Sequence, residues 1–203
     1  NIIITPGSDA GLCFSLMPFI EPGDEVLIAD PSYPNNFQTV SLLGGTPVSV
    51  PLRAETGFEL EVGAFEDRLT DRTKMVILTN PNNPTTVVYS EETLKALADF
   101  VIRHNLMILV DQAFEDIIFD GRKMTTIASL PGMWGRTVTI FSISKGMGLS
   151  GLRIGYIVAC DQIMDVYFGC AVSIIGATSS SAQMAAIAAY SQLEFVRGYQ
   201  DVF

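Results

Sequence analysis

Short apolar runs alternate along this chain with segments of helical periodicity, and one run, Met107-Ile108-Leu109-Val110, has no polar position at all. A strand of that kind is covered on both faces, as happens in parallel sheets wrapped by helices. Strands are predicted at Ile2–Thr5, Val26–Ala29, Pro47–Val50, Met75–Thr79, Met107–Val110, Val138–Phe141 and Ile154–Val158. Helices are predicted near Asp9–Phe19, Asn35–Leu43, Val62–Leu69, Glu91–His104 and Asp161–Ser173, with another from Ser181 onward. Ser90 reads as an N-cap, and Leu94, Leu97, Ala98 and Val101 form the buried stripe of the helix behind it. The expected class is α/β, a three-layer α/β/α arrangement around a mainly parallel, mixed seven-stranded sheet.

In such sheets ligands bind beyond the carboxyl ends of the strands. Five of the apolar runs end there in polar residues or special turns. Ile2–Thr5 runs into Pro6-Gly7-Ser8-Asp9, Val26–Ala29 into Asp30-Pro31-Ser32-Tyr33, and Met75–Thr79 into Asn80-Pro81-Asn82-Asn83-Pro84. Met107–Val110 runs into Asp111, and Val138–Phe141 into Ser142-Ile143-Ser144-Lys145. If these strands are parallel neighbours, the groups share one crevice. Taken singly each has a plainer reading. Gly7-Ser8-Asp9 also suits a turn with an N-cap, Asn80–Pro84 a rigid loop, and Asp111 a cap for whatever follows it. Gly146-Met147-Gly148 is a weak glycine signal by itself.

The combination is more telling than its parts. A lysine at the mouth of a buried strand, set among hydroxyls and followed by Arg153, suits covalent capture of an aldehyde cofactor whose phosphate needs an anchor. Pyridoxal 5′-phosphate (PLP) is such a cofactor.

With 203 residues, 48% of them hydrophobic and 17% charged, the chain has enough apolar surface for one sizeable core. A formal charge of −10 without any basic cluster argues against a nucleic-acid partner. Cys13, Cys160 and Cys170 lie in apolar surroundings without metal-ligand spacing, which fits buried thiols in a reducing compartment, and a cytoplasmic location is expected. His104 is the only histidine and reads as a cap or surface residue, so no metal site or histidine-based triad is expected. No stretch is long and apolar enough to span a membrane, and no membrane partner is expected. The chain opens on Asn1 directly before a strand and stops at Phe203 within a helical pattern, so both ends read as cuts.

Over essentially its whole length the sequence resembles the large domain of fold-type I PLP enzymes of the class I/II aminotransferase family. The resemblance is carried by Asn80-Pro81-Asn82-Asn83-Pro84-Thr85, Asp111 with Phe114, Ser142-x-Ser144-Lys145 and Gly151-x-Arg153-Ile154-Gly155-Tyr156. It implies a Schiff base on Lys145, which then shuttles a proton between the substrate Cα and the cofactor. It also implies that Asp111 keeps the pyridine nitrogen protonated, that Asn83 donates to the phenolate oxygen, and that Tyr33 stacks on the ring. Gly7, Ser8 and Asp9 at a helix start, with Ser142 and Arg153, are implied to hold the phosphate. The implied substrates are an amino acid and a 2-oxo acid, and the implied assembly of the full-length protein is a homodimer.

Two positions depart from the family pattern. Phe114 stands where a tyrosine usually also donates to the phenolate oxygen, so the imine pKa is expected to be higher. Thr86 stands where glycine is usual, and altered loop angles are expected there. Family members are about twice this long. On that reading residues 1–203 are the PLP-binding large domain, and the N-terminal arm and small C-terminal domain with its carboxylate-clamping arginine are missing. Weak PLP binding and little turnover are therefore expected of the 203-residue piece. An aminotransferase is the leading expectation. The alternatives are a PLP enzyme of this fold catalysing β-elimination, decarboxylation or oxidation, and a non-catalytic PLP-binding regulatory domain.

Overall fold

The computed structural model describes residues 1–202; Phe203, expected in a continuing helix, lies outside the described residues. The strands are β1 (Ile2–Thr5), β2 (Glu25–Asp30), β3 (Thr46–Pro51), β4 (Thr73–Thr79), β5 (Met107–Asp111), β6 (Thr137–Ser142) and β7 (Gly155–Val158). They form one seven-stranded sheet in the order β1-β7-β6-β5-β4-β2-β3. From β6 to β3 the pairing is parallel, whereas β7 is antiparallel to both β6 and β1. All strands except β7 therefore point the same way, and the carboxyl end of edge strand β1 lies on the same side as that of β6.

The helices are α1 (Ser8–Leu16), α2 (Pro34–Leu42), α3 (Val62–Glu66), α4 (Glu91–Arg103), α5 (Ile143–Gly146), α6 (Asp161–Ile174), α7 (Ser180–Tyr190) and α8 (Leu193–Gln200). The central strands are apolar on both sides because both sides are buried. Leu27, Val76, Leu78, Ile108 and Val110 face Leu94, Leu97, Phe100 and Val101 of α4 and Phe65 of α3. The alternate positions, Val26, Ile28, Met75, Ile77 and Leu109, face Leu12 and Leu16 of α1 and Val40 of α2. Alternation along one strand feeds two cores, which makes the three layers. Ser90 caps α4 by accepting from the Thr93 N–H at 3.1 Å.

The differences from expectation have local causes. The expected helix Val62–Leu69 stops at Glu66, where the chain turns through Asp67 and Leu69 toward β4. Ile154 does not begin β7; it is buried with Ile143, Ala182 and Ala186 beneath the Lys145 turn. The last helical stretch is two helices, α7 and α8, broken at Ser191 and Gln192. Cys160 is buried, but Cys13 and Cys170 are half-buried, so they are not fully enclosed thiols; all three are free. His104 is the C-cap residue of α4, with Nε2 3.0 Å from Glu66 Oε2 and its ring against Phe100. None of the described helices is long and apolar enough to cross a membrane, and no metal-ligating cluster occurs among the described residues.

Candidate active site

One crevice of about 150 Å³ opens at the carboxyl ends of the strands and is lined by Ser8, Asp9, Tyr33, Asn83, Asp111, Phe114, Ser142, Lys145 and Arg153, together with Ala113, Ser144 and Ser150. Each wall is delivered by a different element. Gly7 precedes α1 with φ at +86°, a conformation side chains rarely adopt, and a Cβ there would stand 2.3 Å from Arg153 Nη2, so the guanidinium would have to shift. Thr5 steadies the turn by donating its hydroxyl to Gly7 O at 2.9 Å. The first α1 N–H groups, at Ser8 and Asp9, have no intrahelical acceptor and sit at the positive end of the helix dipole, beside Arg153. That pairing of dipole and guanidinium suits a phosphate dianion.

Arg153 itself adopts a left-handed backbone, φ +52°. Its Nη1 donates to Ser150 O at 3.0 Å, and Nη2 lies 3.9 Å from Asp9 Oδ2, leaving the side chain half-exposed toward the crevice. The Asp9 side chain is a hub that the sequence did not announce. Its Oδ1 accepts from Tyr33 Oη at 3.1 Å and from Asn35 Nδ2 at 2.9 Å, and Asn35 Nδ2 also lies 3.0 Å from Tyr33 Oη. Burial and the Asp9 charge both push the Tyr33 phenol upward, so it stays a neutral ring lying at the crevice wall.

Asp111 ends β5 in register with Thr79 of β4 and Ile140 of β6. Its Oδ1 accepts the Ala113 N–H at 2.9 Å, so the residue does cap the turn after it while also lining the crevice. Burial pushes its carboxyl up to about 6; the Ala113 hydrogen bond works against this, and the Asp9 charge adds to it. Among the described residues no salt bridge engages Asp111. A desolvated acid without a cation beside it is suited to receive a cationic N–H from a ligand.

Lys145 projects from α5, a single helical turn. Ser142 begins that turn, its Oγ accepting the Ser144 N–H at 3.2 Å, and buried Ile143 pins it from below. The Ser142 hydroxyl proton stays available to a ligand oxygen. The Lys145 ammonium lies 5.6 Å from the centroid of the Phe114 ring, an apolar face with no hydroxyl to offer.

Of the polar residues expected at the strand ends, not all reach the crevice. Asp30 accepts from Ser49 Oγ at 2.6 Å, away from it. Asn80 accepts the Tyr89 N–H, and Asn82 donates to Pro31 O and Thr85 Oγ1, so both serve the loop and only Asn83 lines the site. Thr86 has φ +63°. This is a left-handed conformation that favours glycine, so an exposed threonine is locally strained there. Ala113, Ser144 and Ser150 were missed, although Ser144 and Ser150 adjoin residues that sequence reasoning singled out. Glu115, nearby in sequence, is not among the residues lining the crevice. Half-buried beside Asp116, its carboxyl is pushed up to about 7 by burial first and by the Asp116 charge second.

The model of the family described as aminotransferase class I and II matches residues 1–201. The aspartate aminotransferase of Sulfolobus acidocaldarius is 34% identical over 205 residues, covering 100% of this chain and 51% of that protein. Aromatic-amino-acid aminotransferase 2 of Thermococcus litoralis is 38% identical over 165 residues, covering 81% of this chain and 42% of that protein. The crystal structure of an aromatic aminotransferase from Pyrococcus horikoshii OT3 superposes with a TM-score of 0.93 at 31% identity, over 98% of this chain and 54% of the other. The chain thus spans about half the length of the curated relatives it matches. A seven-stranded sheet of this order, with a lysine and an acid in one crevice and a match along nearly the whole chain, has one reading: the chain belongs to the aminotransferase class I and II family, whose cofactor is pyridoxal 5′-phosphate.

Proposed function

We propose that the full-length protein is an aminotransferase moving an amino group between an amino acid and a 2-oxo acid, and that residues 1–203 are its PLP-binding large domain. The observation that carries this reading is the meeting of Lys145, Asp111 and the α1–Arg153 cradle around one crevice. The residues fit the cofactor group by group. Ser8 and Asp9 N–H, the Ser142 hydroxyl and Arg153 would hold the phosphate, with the Arg153 guanidinium close against bare Gly7. Tyr33 would cover the ring, and Asn83 would donate to its phenolate oxygen. Asp111 would accept the pyridine N–H, and a cationic N–H there would favour its ionised form.

When bound, PLP supplies an electrophilic carbon and a ring that accepts the electron pair of the substrate's Cα–H bond. The chain's own part is to place an amine and a proton carrier. The Lys145 amine would hold the cofactor covalently and, as a free amine, would carry the proton of the substrate's Cα. Asp111 would accept the pyridine N–H and keep that nitrogen protonated, a fixed electrostatic partner in place of water.

The test uses the full-length protein loaded with PLP. Adding an amino acid converts the Schiff-base absorbance to that of the pyridoxamine form, and a 2-oxo acid restores it. If no amino acid in a broad panel brings about the conversion, transamination is wrong. Phe114 supports a second reading within the same site, because it withholds a hydroxyl from the phenolate oxygen near Lys145. Release of ammonia or CO2 without need of a 2-oxo acid favours elimination or decarboxylation instead.

The proposed assembly is a homodimer. It is supported by apolar residues left open on α6 and α7, among them Phe168 (67% exposed) and Met184 (64%); sedimentation of the full-length protein decides it. The three free thiols support a cytoplasmic location. The 203-residue piece by itself is expected to bind PLP weakly and to turn over little, since it spans about half of its relatives. Robust catalysis by the purified piece contradicts that expectation.

A further inference from the structure

The Gly146-Met147-Gly148 stretch after Lys145 has a use that the roles assigned above leave out. We propose that Gln200 and Tyr199 of α8 are positioning residues for Lys145, gripping the turn that carries it; the proposal rests on the aminotransferase reading. The turn needs outside help because α5 is so short. Met147 and Gly148 both donate their N–H to Lys145 O, the latter at 3.2 Å, which leaves Gly146 O without a partner inside the turn. Gln200 Nε2 supplies that partner at 3.0 Å across a sequence separation of 54.

The neighbouring residue of α8 seals the other side. Gly148 has φ +66°, and a Cβ there would stand 2.7 Å from the Tyr199 ring. At Gly146 a Cβ would run into the Asp116 side chain, which comes from the loop after Asp111. Both glycines are bare because a helix and a loop press on the backbone that bears the lysine. Gln200 and Tyr199 are half-buried, so this grip is packed rather than a loose surface contact. Lys145 has to leave its bond to the cofactor and return to a proton nearby, and a sub-ångström drift of its carrier misplaces the amine.

The experiment compares Gln200→Met, of similar length without a donor, with Gln200→Lys, which restores a donor of similar reach. In the full-length PLP protein, Gln200→Met lowers kcat about tenfold with KM within about twofold, the scale of one hydrogen bond. It also moves the pH midpoint of the Schiff-base absorbance by about half a unit or more. In the cofactor-free full-length protein it speeds amide exchange of the segment 143–149 about tenfold. Gln200→Lys returns all three toward wild type. An unchanged midpoint and exchange rate in Gln200→Met overturns the proposal. So does a Gln200→Lys variant as defective as Gln200→Met. If the wild-type protein forms no Schiff base at Lys145, the aminotransferase reading fails, and the cofactor-free exchange still decides whether α8 grips the turn.

Discussion

Strands β2 and β5 end alike, an apolar run followed by aspartate, and the two carboxylates lie at the same edge of one sheet with only β4 between the strands. Their surroundings differ. Asp30 lies between β3 and β4, and its carboxylate is taken up by the Ser49 hydroxyl. Asp111 lies between β4 and β6, and β6 runs on into the turn that bears Lys145. There the acid is desolvated, close to the Asp9 charge, and served by a single backbone N–H. A strand-end aspartate is thus a structural acceptor at one place in the sheet and, two strands away, a desolvated acid lining the crevice, which we propose as the functional one. The neighbouring strand makes the difference: β6 leads into the Lys145 turn, so Asp111 lines the crevice with that lysine, whereas the carboxylate of Asp30 is turned to Ser49 on β3.

This contrast can be broken experimentally. The largest effect is expected at the amine. Lys145→Ala abolishes borohydride-trappable PLP and lowers amino-group transfer by at least ~10³-fold, as loss of a covalent and proton-carrying group does. Labelling of another lysine in the reduced wild-type protein would show the crevice to be the wrong one. Next, Asp111→Asn lowers kcat by about 10²–10³-fold, the scale for losing a preorganised electrostatic partner, whereas Asp30→Asn stays within about twofold. Equal losses in the two variants would erase the distinction between the strand ends.

The third effect concerns stability without cofactor. The Asp111 carboxyl is raised in the folded chain to about 6, above its unfolded value of about 3.9, so the folded state holds the proton more tightly. Its favourable contribution is complete below about pH 4 and is lost as pH rises through 6. Cofactor-free Asp111→Asn is therefore more stable than wild type above pH 6 by about 1–2 kcal/mol, allowing for solvent in the crevice, and the gain fades below pH 4. Urea unfolding at several pH values measures it, and a gain that persists at pH 4 would refute the cause given. The smallest effect is in the β4 loop between the two aspartates. Thr86→Gly relieves a left-handed threonine and stabilises by about 0.5–1 kcal/mol, read as a small rise in Tm. A fall in Tm would mean that the threonine side chain contributes more than its backbone costs.

The strands were legible because burial on both faces leaves a local record. Val26–Ala29 and Met107–Val110 can be read without knowing what covers them. Ser90 and its stripe were legible for the same reason, since a cap and a 3.6-residue period are short-range signals. The chemical residues were legible only as a set, because glycine before a helix, an asparagine between prolines and a lysine after serine each have ordinary uses. Asn35 could not be picked out. Its value lies in reaching Asp9, 26 residues away, and Tyr33 at once. Gln200 was hidden more deeply, since nothing in its own helix refers to a carbonyl beside Lys145.

What the amino-acid order determined by itself was therefore the alphabet of the fold: which runs are strands, which ends carry polar groups, and that an amine, an acid and an arginine are among them. Tertiary structure decided the meetings. The strand order set Asp111 beside the lysine turn and Asp30 beside Ser49, and the return of α8 closed a grip on Gly146 and Gly148. Periodicity and capping act over a few residues and leave a trace in the sequence. Sheet order and helix return come from the packing of the whole chain, and no single stretch of residues records them.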